Sequence, residues 1–141
     1  MSAHEVLIAE DDAPLRKLVA VALRHENIGA DTAADGEDAI RQLAESRRRV
    51  LILDLMMPNI DGWEVIRWLK QHPEHRPHSV IVLTAVDRGV LHRLDPDVVN
   101  AIIFKPFDAF ELAAYVRACA AREERDRRRG RPLGSGPGGK G

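Results

Sequence analysis

The sequence predicts one α/β domain built around a five-stranded parallel sheet. Two observations carry this prediction: short apolar runs alternate with amphipathic helical stretches, and four of the runs end on a polar residue. The predicted strands are residues 6–9, 28–33, 50–53, 80–83 and 101–104. Because parallel strands need right-handed crossovers that cover both faces of the sheet, few topologies remain. We expect the doubly wound strand order 2-1-3-4-5.

The first two helices follow from caps and from apolar spacing. Asp12 is a candidate cap for the first helix, and Pro14 suits a first helical turn. The second helix should begin near Gly36. Apolar residues recur at the helical period in both stretches. The residues expected to face inward are Leu15, Leu18, Val19, Ala22 and Leu23 in the first helix, and Ala39, Ile40, Leu43 and Ala44 in the second.

The later helices are less regular. A third helix should follow Gly62 and end at Pro73. Between the last two strands, residues 94–97 should interrupt the expected helix, because proline disfavours a helical residue before it. The last helix should run from about Asp108 to the region of Arg122. Its residues available for burial are Phe110, Ala113, Ala114 and Val116.

Composition limits the class of protein. The chain has 141 residues, enough for one domain with a core, and a formal net charge of −1. That charge provides no strong field for nucleic acid or membranes. Residues 1–4 show no apolar signal segment, and no apolar run approaches the roughly 20 residues that cross a bilayer. Cys119 is the sole cysteine, so an internal disulfide is impossible. We expect a cytoplasmic protein with no membrane partner.

Acidic residues follow two of the predicted strands that should be neighbours. Glu10 and Asp11 follow the first strand, and Asp54 ends the third. Thr84 and Lys105 end the fourth and fifth strands along the same edge. Clustered carboxylates repel one another, and hard oxygen ligands favour Mg²⁺. A carboxylate nucleophile, Mg²⁺, a hydroxyl and an ammonium group together fit phosphoryl transfer onto an aspartate.

Four motifs, each at the end of a predicted strand, make this pattern specific. The motifs are Leu-Ile-Ala-Glu10-Asp11-Asp12, Leu53-Asp54-Leu-Met-Met-Pro58-Asn-Ile-Asp61-Gly62, Leu83-Thr84-Ala85 and Phe104-Lys105-Pro106-Phe107. Over residues 5–120 the chain resembles the receiver domain of two-component response regulators, of the stand-alone, chemotaxis-regulator-like type. The resemblance implies a (βα)5 sheet of flavodoxin-like order, with the receiver at residues 1–121.

The resemblance implies a Mg²⁺ site and a phosphoacceptor. Asp54 would receive a phosphoryl group from a histidine kinase. Asp11 and Asp54 would ligate Mg²⁺ directly, Glu10 would act through water, and the backbone carbonyl of Met56 would be a further ligand. The chain would not be an enzyme toward other molecules, because it would catalyse only its own aspartyl phosphorylation and dephosphorylation.

The resemblance also implies phosphate-binding and structural roles. Thr84 would bind the phosphoryl group and Lys105 would pair with it. Pro106, after a cis peptide bond, and Ala85 would shape the loops. Ile102 stands where the family usually has a Tyr or Phe that turns inward on activation. The usual aromatic switch is therefore absent from this sequence.

Residues outside these motifs have simpler interpretations. His72, His75 and His78 are expected in a solvated loop rather than in a metal site, because prolines separate them. Residues 122–129 mix charges at helical spacing, which predicts a solvated end of the last helix. Residues 130–141 are mostly Gly, Pro, Ser and basic residues and should be disordered.

Several functions stay open at this point. The leading one is a switch that binds an unidentified downstream protein or relays phosphate to a histidine phosphotransfer protein. A phosphorylation-independent adaptor is the alternative. A DNA-associated regulator would use the Arg-rich stretch 127–132, although nucleic acid is not an expected partner. A phosphatase of the haloacid dehalogenase type would need a second acid where Met56 stands.

Overall fold

A five-stranded parallel sheet forms the centre of the molecule in the computed structural model, which describes residues 3–130. The strand order is β2-β1-β3-β4-β5, which confirms the predicted fold class. The strands are β1 (Val6–Ala9), β2 (Ala30–Ala33), β3 (Val50–Asp54), β4 (Ser79–Thr84) and β5 (Ala101–Phe104). Strand β2 begins two residues later than predicted, because Ile28 still donates its N–H to the Leu23 carbonyl at the end of the preceding helix.

Within residues 3–130, three α-helices and two short 3-10 helices connect the strands, and a fourth α-helix follows the last strand. The helices are α1 (Ala13–His25), α2 (Gly36–Glu45), α3 (Gly62–Gln71) and α4 (Ala109–Arg128), and the 3-10 segments are Pro73–His75 and Arg88–Arg93. Each α-helix begins after an aspartate whose side chain accepts a hydrogen bond from a first-turn N–H. The predicted cap Asp12 is among them, accepting from Leu15 N at 3.2 Å.

Two apolar cores lie on opposite faces of the sheet. Helices α2 and α3 cover one face, and α1 and α4 cover the other. Four residues predicted to face inward are exposed instead: Leu18, Ala44, Phe110 and Ala114. Leu18 and Phe110 are 46% and 50% exposed, because the neighbouring positions Val19 and Ala109 take the buried face. Adjacent helix positions point about 100° apart, so only one of each pair reaches the sheet.

The connection between β4 and β5 contains no α-helix. The interruption predicted at residues 94–97 is present, but the whole preceding segment is a 3-10 helix, Arg88–Arg93. Asp87 caps this segment by accepting from Gly89 N at 2.8 Å. Arg88 stacks on the ring of Phe104 at 3.8 Å from its centroid, which fixes the segment against β5.

The end of α4 differs from its prediction. The helix continues to Arg128, and its last turns are only partly solvated because Glu123 and Asp126 are buried. Glu123 Oε1 lies 2.8 Å from Arg49 Nε, and Asp126 Oδ2 lies 3.9 Å from His78 Nε2. His78 is buried as well, which corrects the prediction of a solvated loop for that histidine.

The remaining sequence predictions concern the termini and the other histidines. His72 and His75 stack on Trp68, with ring centroids 4.4 and 5.5 Å away. The predicted disorder after Gly130 lies outside the described residues, and the domain division at residue 121 stays a prediction. No described helix combines the length and apolarity needed to cross a membrane.

Candidate functional site

The candidate site lies at the carboxyl edge of the sheet, where β1 and β3 are neighbours. Ala9 pairs with Leu53 in the register of these strands, so the residues that follow them meet. Carboxylate oxygens of Glu10, Asp11 and Asp54 lie within 4.8 Å of one another. The sequence predicted this meeting from the strand order, and the structure confirms it.

Both oxygens of the Asp54 carboxylate are fixed by protein donors. Oδ1 accepts from the backbone N–H of Met56 at 3.2 Å, and Oδ2 accepts from Lys105 Nζ at 3.2 Å. Lys105 Nζ also lies 2.9 Å from Glu10 Oε1, as an ion pair without hydrogen-bond geometry. Asp54 and Glu10 are buried, at 3% and 1% exposure. The ammonium therefore bridges two buried carboxylates.

The electrostatics of the site show an excess of negative charge. Burial, together with the neighbouring Asp54 carboxylate, raises the pKa of Glu10 to about 7, although Lys105 opposes the shift. Burial alone would lower the pKa of Lys105, but its close contacts with the Glu10 and Asp54 carboxylates raise it instead. One ammonium group thus lies against the two buried carboxylates, and the exposed Asp11 carboxylate lies close to both, so the acids of this group outnumber its cations.

The donor set fits Mg²⁺. It consists of carboxylate oxygens, the hard ligands that this ion prefers, and Asp11 is exposed while the other two acids are buried. Mg²⁺ usually keeps several of its waters, and an exposed ligand leaves room for them. Within residues 3–130, Glu10, Asp11 and Asp54 form the only group of three acids, histidines or cysteines close enough together to hold a metal ion. His72 and His75 belong to no such group among these residues.

Thr84 and Lys105 lie beside this acidic group. Thr84 pairs with Phe104 in the sheet register, and Lys105 N donates to the Thr84 carbonyl at 2.8 Å. The Thr84 hydroxyl accepts from Val86 N at 2.9 Å, which leaves its own proton available to donate. The peptide bond between Lys105 and Pro106 is cis, the isomer that the resemblance implies.

Three sequence-predicted residues lie at the margin of the site. Ala85 is exposed in the loop after β4. Ile102 lies on β5 and is 37% exposed, and no described contact joins it to the acidic group. Met56 takes part through its N–H, and the role of its carbonyl as a ligand stays a prediction.

Sequence reasoning missed two polar residues that shape the loops of the site. Arg16, in α1, donates to the Glu10 carbonyl at 2.8 Å and to the Asp11 carbonyl at 3.5 Å. Asn59 donates to the Asp35 carboxylate at 3.0 Å. Nothing in the sequence distinguishes Arg16 from a solvated helix arginine. The positive φ of 66° at Asn59 has a sequence signal, since Asn tolerates that conformation.

An α/β sheet with paired acids, a hydroxyl and a lysine at its switch point is typical of a class of signalling domains. The profile of the response regulator receiver domain matches residues 6–117, which is most of the chain. The chain belongs to the response regulator receiver domain family, and it is a receiver domain of the two-component type.

Individual relatives agree with this assignment. The response regulator ArlR of Staphylococcus aureus is 34% identical over 119 residues, which cover 84% of this chain and 53% of ArlR. The chain therefore spans about half the length of the curated relatives it matches. A putative response regulator from Chloroflexus aurantiacus superposes with a TM-score of 0.74 at 30% identity, covering 86% of this chain and 100% of that chain.

A third relative was solved with a bound ligand. The crystal structure of TrrA from Thermotoga maritima, in complex with Mg²⁺-BeF, superposes with a TM-score of 0.69 at 27% identity. The match covers 81% of this chain and 96% of that chain.

Proposed function

We propose that this receiver domain is a Mg²⁺-dependent phosphoacceptor switch whose acceptor is Asp54. The observation that carries the proposal is the convergence of Glu10, Asp11 and Asp54 within 4.8 Å, with Lys105 Nζ 3.2 Å from the Asp54 carboxylate. A structural role alone would not bury two carboxylates beside an exposed third one with a single lysine to balance them.

The residues divide the work of the transfer. A carboxylate oxygen of Asp54 attacks the phosphorus of a phosphohistidine, the P–O bond forms, and the P–N bond breaks with the electron pair leaving on the imidazole. Mg²⁺, when bound by Asp11 and Asp54 with Glu10 acting through water, supplies positive charge for the phosphoryl oxygens. Lys105 supplies a second positive charge, and Thr84 offers a hydroxyl donor. Positioning and charge neutralisation are the protein's contribution.

The partners follow from the same chemistry. The donor would be a histidine kinase or a histidine phosphotransfer protein, and the output would be binding of another protein or relay of the phosphate. The chain would catalyse only its own phosphorylation and dephosphorylation. ArlR and the other matched relatives support a signalling role of this kind.

Intact-mass measurement tests the proposal. With Mg²⁺ and acetyl phosphate, we expect the chain to gain one phosphate that is stable in acid and labile in base. Asp54→Asn should abolish the gain, because an amide is not a comparable nucleophile. Asp12→Asn is the matched control, since Asn caps a helix as well as Asp does and Asp12 lies in the same acidic run. Undiminished labelling of Asp54→Asn would contradict the assignment.

The structural response should appear after β4. Because Thr84 holds Val86 through its hydroxyl, drawing Thr84 toward a phosphoryl group releases the segment that leads into the 3-10 helix Arg88–Arg93. Short 3-10 helices have few and poorly aligned hydrogen bonds, so local stability is low there. We expect beryllofluoride to alter amide hydrogen exchange most between residues 85 and 99. A response confined to α1 would show that another surface carries the signal.

A further inference from the structure

The loop that follows Asp54 is tightly held where it enters α3. Gly62 donates its N–H to the Leu55 carbonyl at 2.9 Å, which closes the loop of residues 56–61. A Cβ atom on Gly62 would overlap the carbonyl oxygen of Asp54 and the Cα of Leu55. The end of the loop therefore packs directly against the strand end that carries the phosphoacceptor.

The middle of the loop is held by a different element, the first turn of α2. Asn59 Nδ2 donates to Asp35 Oδ2 at 3.0 Å. The other oxygen of Asp35 accepts from Asp38 N at 2.8 Å as the helix cap. The carbonyl of Ile60 lies so close to Gly36 that a Cβ atom there would overlap it. Two independent contacts, one polar and one steric, thus join the loop to α2.

Asn59 also determines the direction of the loop. Its φ of 66° is in the left-handed region, which Asn tolerates better than most residues. This conformation lets one residue present its amide to Asp35 while the next presents its carbonyl to Gly36. At the start of the same loop, the N–H of Met56 holds Asp54 Oδ1 at 3.2 Å.

We propose that Asn59 is a positioning residue for the phosphoacceptor and its metal, acting through its hydrogen bond to Asp35 and the packing of Ile60 on Gly36. By fixing the loop on α2, these contacts keep the Met56 N–H directed at Asp54 Oδ1. One carboxylate oxygen is thereby held while the other lies against Lys105. The inference rests on the proposed function and extends it from the reacting residues to the helix that supports them.

The expected effect of removing the contact falls on binding and rate rather than on folding. The Asn59–Asp35 bond is exposed, so its direct contribution to stability is small. The orientation of a ligating carboxylate depends strongly on its supporting contacts, and losing such a contact typically costs about 10-fold or more in metal affinity or activity.

Two variants with a matched control test the inference. Asn59→Gly keeps the left-handed conformation and removes the amide. Asp35→Ser keeps a cap residue for α2 and removes the second carboxylate oxygen. Asn27→Gly is the control. Asn27 follows α1 and has a similar φ of 63°, so its substitution by Gly changes backbone freedom in the same way but far from the loop.

The measurements are the Mg²⁺ affinity followed by tryptophan fluorescence or NMR, the rate of phosphorylation by acetyl phosphate, and the melting temperature. We expect Asn59→Gly and Asp35→Ser to weaken Mg²⁺ binding and slow phosphorylation about 10-fold, with Asn27→Gly unchanged in both. The melting temperatures of Asn59→Gly and Asn27→Gly should fall by similar small amounts. Unchanged Mg²⁺ affinity and rate in Asn59→Gly, or an equal loss in Asn27→Gly, would overturn the inference.

The two proposals fail in distinguishable ways. If the unaltered chain takes up no phosphate, or if Asp54→Asn takes it up undiminished, the proposed function is wrong. If labelling depends on Asp54 but not on Asn59, only the positioning role is wrong.

Discussion

The carboxyl and amino edges of the sheet both hold buried charges, but the charges are balanced differently. At the carboxyl edge, the acids Glu10, Asp11 and Asp54 face Lys105. The acids exceed the nearby cations, and burial together with Asp54 raises the pKa of Glu10 to about 7.

At the amino edge the arginines are matched by acids. Arg49 Nε lies 2.8 Å from both Glu5 and Glu123, and Arg48 Nη1 lies 2.5 Å from Asp31. Burial would raise the pKa of Asp31, but the hydrogen bond from Arg48, with smaller effects from His4, lowers it overall. The comparison teaches that buried charge alone does not identify a functional site, whereas an unbalanced group of buried charges does.

The largest effect on stability should come from Glu123, which pairs with Arg49 at the amino edge. We expect Glu123→Gln to lower the free energy of unfolding by about 3 kcal/mol, because it leaves the charge of Arg49 largely buried with only Glu5 to balance it. Glu124→Gln on the same helix is the control and should change stability by less than about 0.5 kcal/mol. Urea denaturation measures both. Equal, small effects would show that the amino edge is not held by its ion pairs.

The pH dependence of folding stability that arises at the carboxyl edge should have the opposite sign to that of an ordinary salt bridge. Since the folded-state pKa of Glu10 lies above its usual value of 4.5, the folded protein binds a proton more strongly than the unfolded chain. Stability without metal should therefore fall as pH rises from 4.5 to about 7, by roughly 2 kcal/mol.

Saturating Mg²⁺ should remove most of that fall, because the ion binds the ionised carboxylates. Glu10→Gln should abolish the pH dependence of the metal-free protein. Thermal melts across this pH range, with and without Mg²⁺, measure both effects. A stability that rises with pH in the metal-free protein would show that the acids at this edge are already balanced.

The smallest effect should come from Asp31. The pKa of Asp31 in the folded protein lies below its usual value of 3.8, so its contribution to stability is present above that pH and is lost as pH falls through the folded-state pKa. Asp31→Asn should cost about 1 kcal/mol at pH 7 and almost nothing in strong acid. Asp97→Asn, at an exposed ion pair, is the control. If the cost of Asp31→Asn persists unchanged at low pH, the contact between Arg48 and Asp31 stabilises the fold through packing rather than through charge.

The strand order and the meeting of Glu10, Asp11 and Asp54 could be predicted from the sequence because both follow from local signals. An apolar run followed by an acid marks a strand end, and the crossover rules bring such ends together. The burial of Glu123 and Asp126 could not be predicted in this way, because it depends on Arg49 and His78, which are distant in sequence.

Contacts across the fold limited the site prediction in the same manner. Asn59 looks like an ordinary turn residue until α2 is placed beside it, and Arg16 looks like a surface residue until the loop after β1 is folded over it. The rotation of α4 about its axis was also not predictable from local sequence, and it places Ala109 inward and Phe110 outward.

The outer strands of the sheet differ in how they would behave in concentrated solution. Strand β2 carries Asp31 and an exposed Thr32, and polar or charged side chains on an edge discourage pairing with another chain. Strand β5 is Ala-Ile-Ile-Phe, with Ile102 exposed and only a 3-10 segment before it. If the protein associates through a sheet edge on storage, we expect β5 to be the point of contact, and a charged residue in place of Ile102 should extend its shelf life.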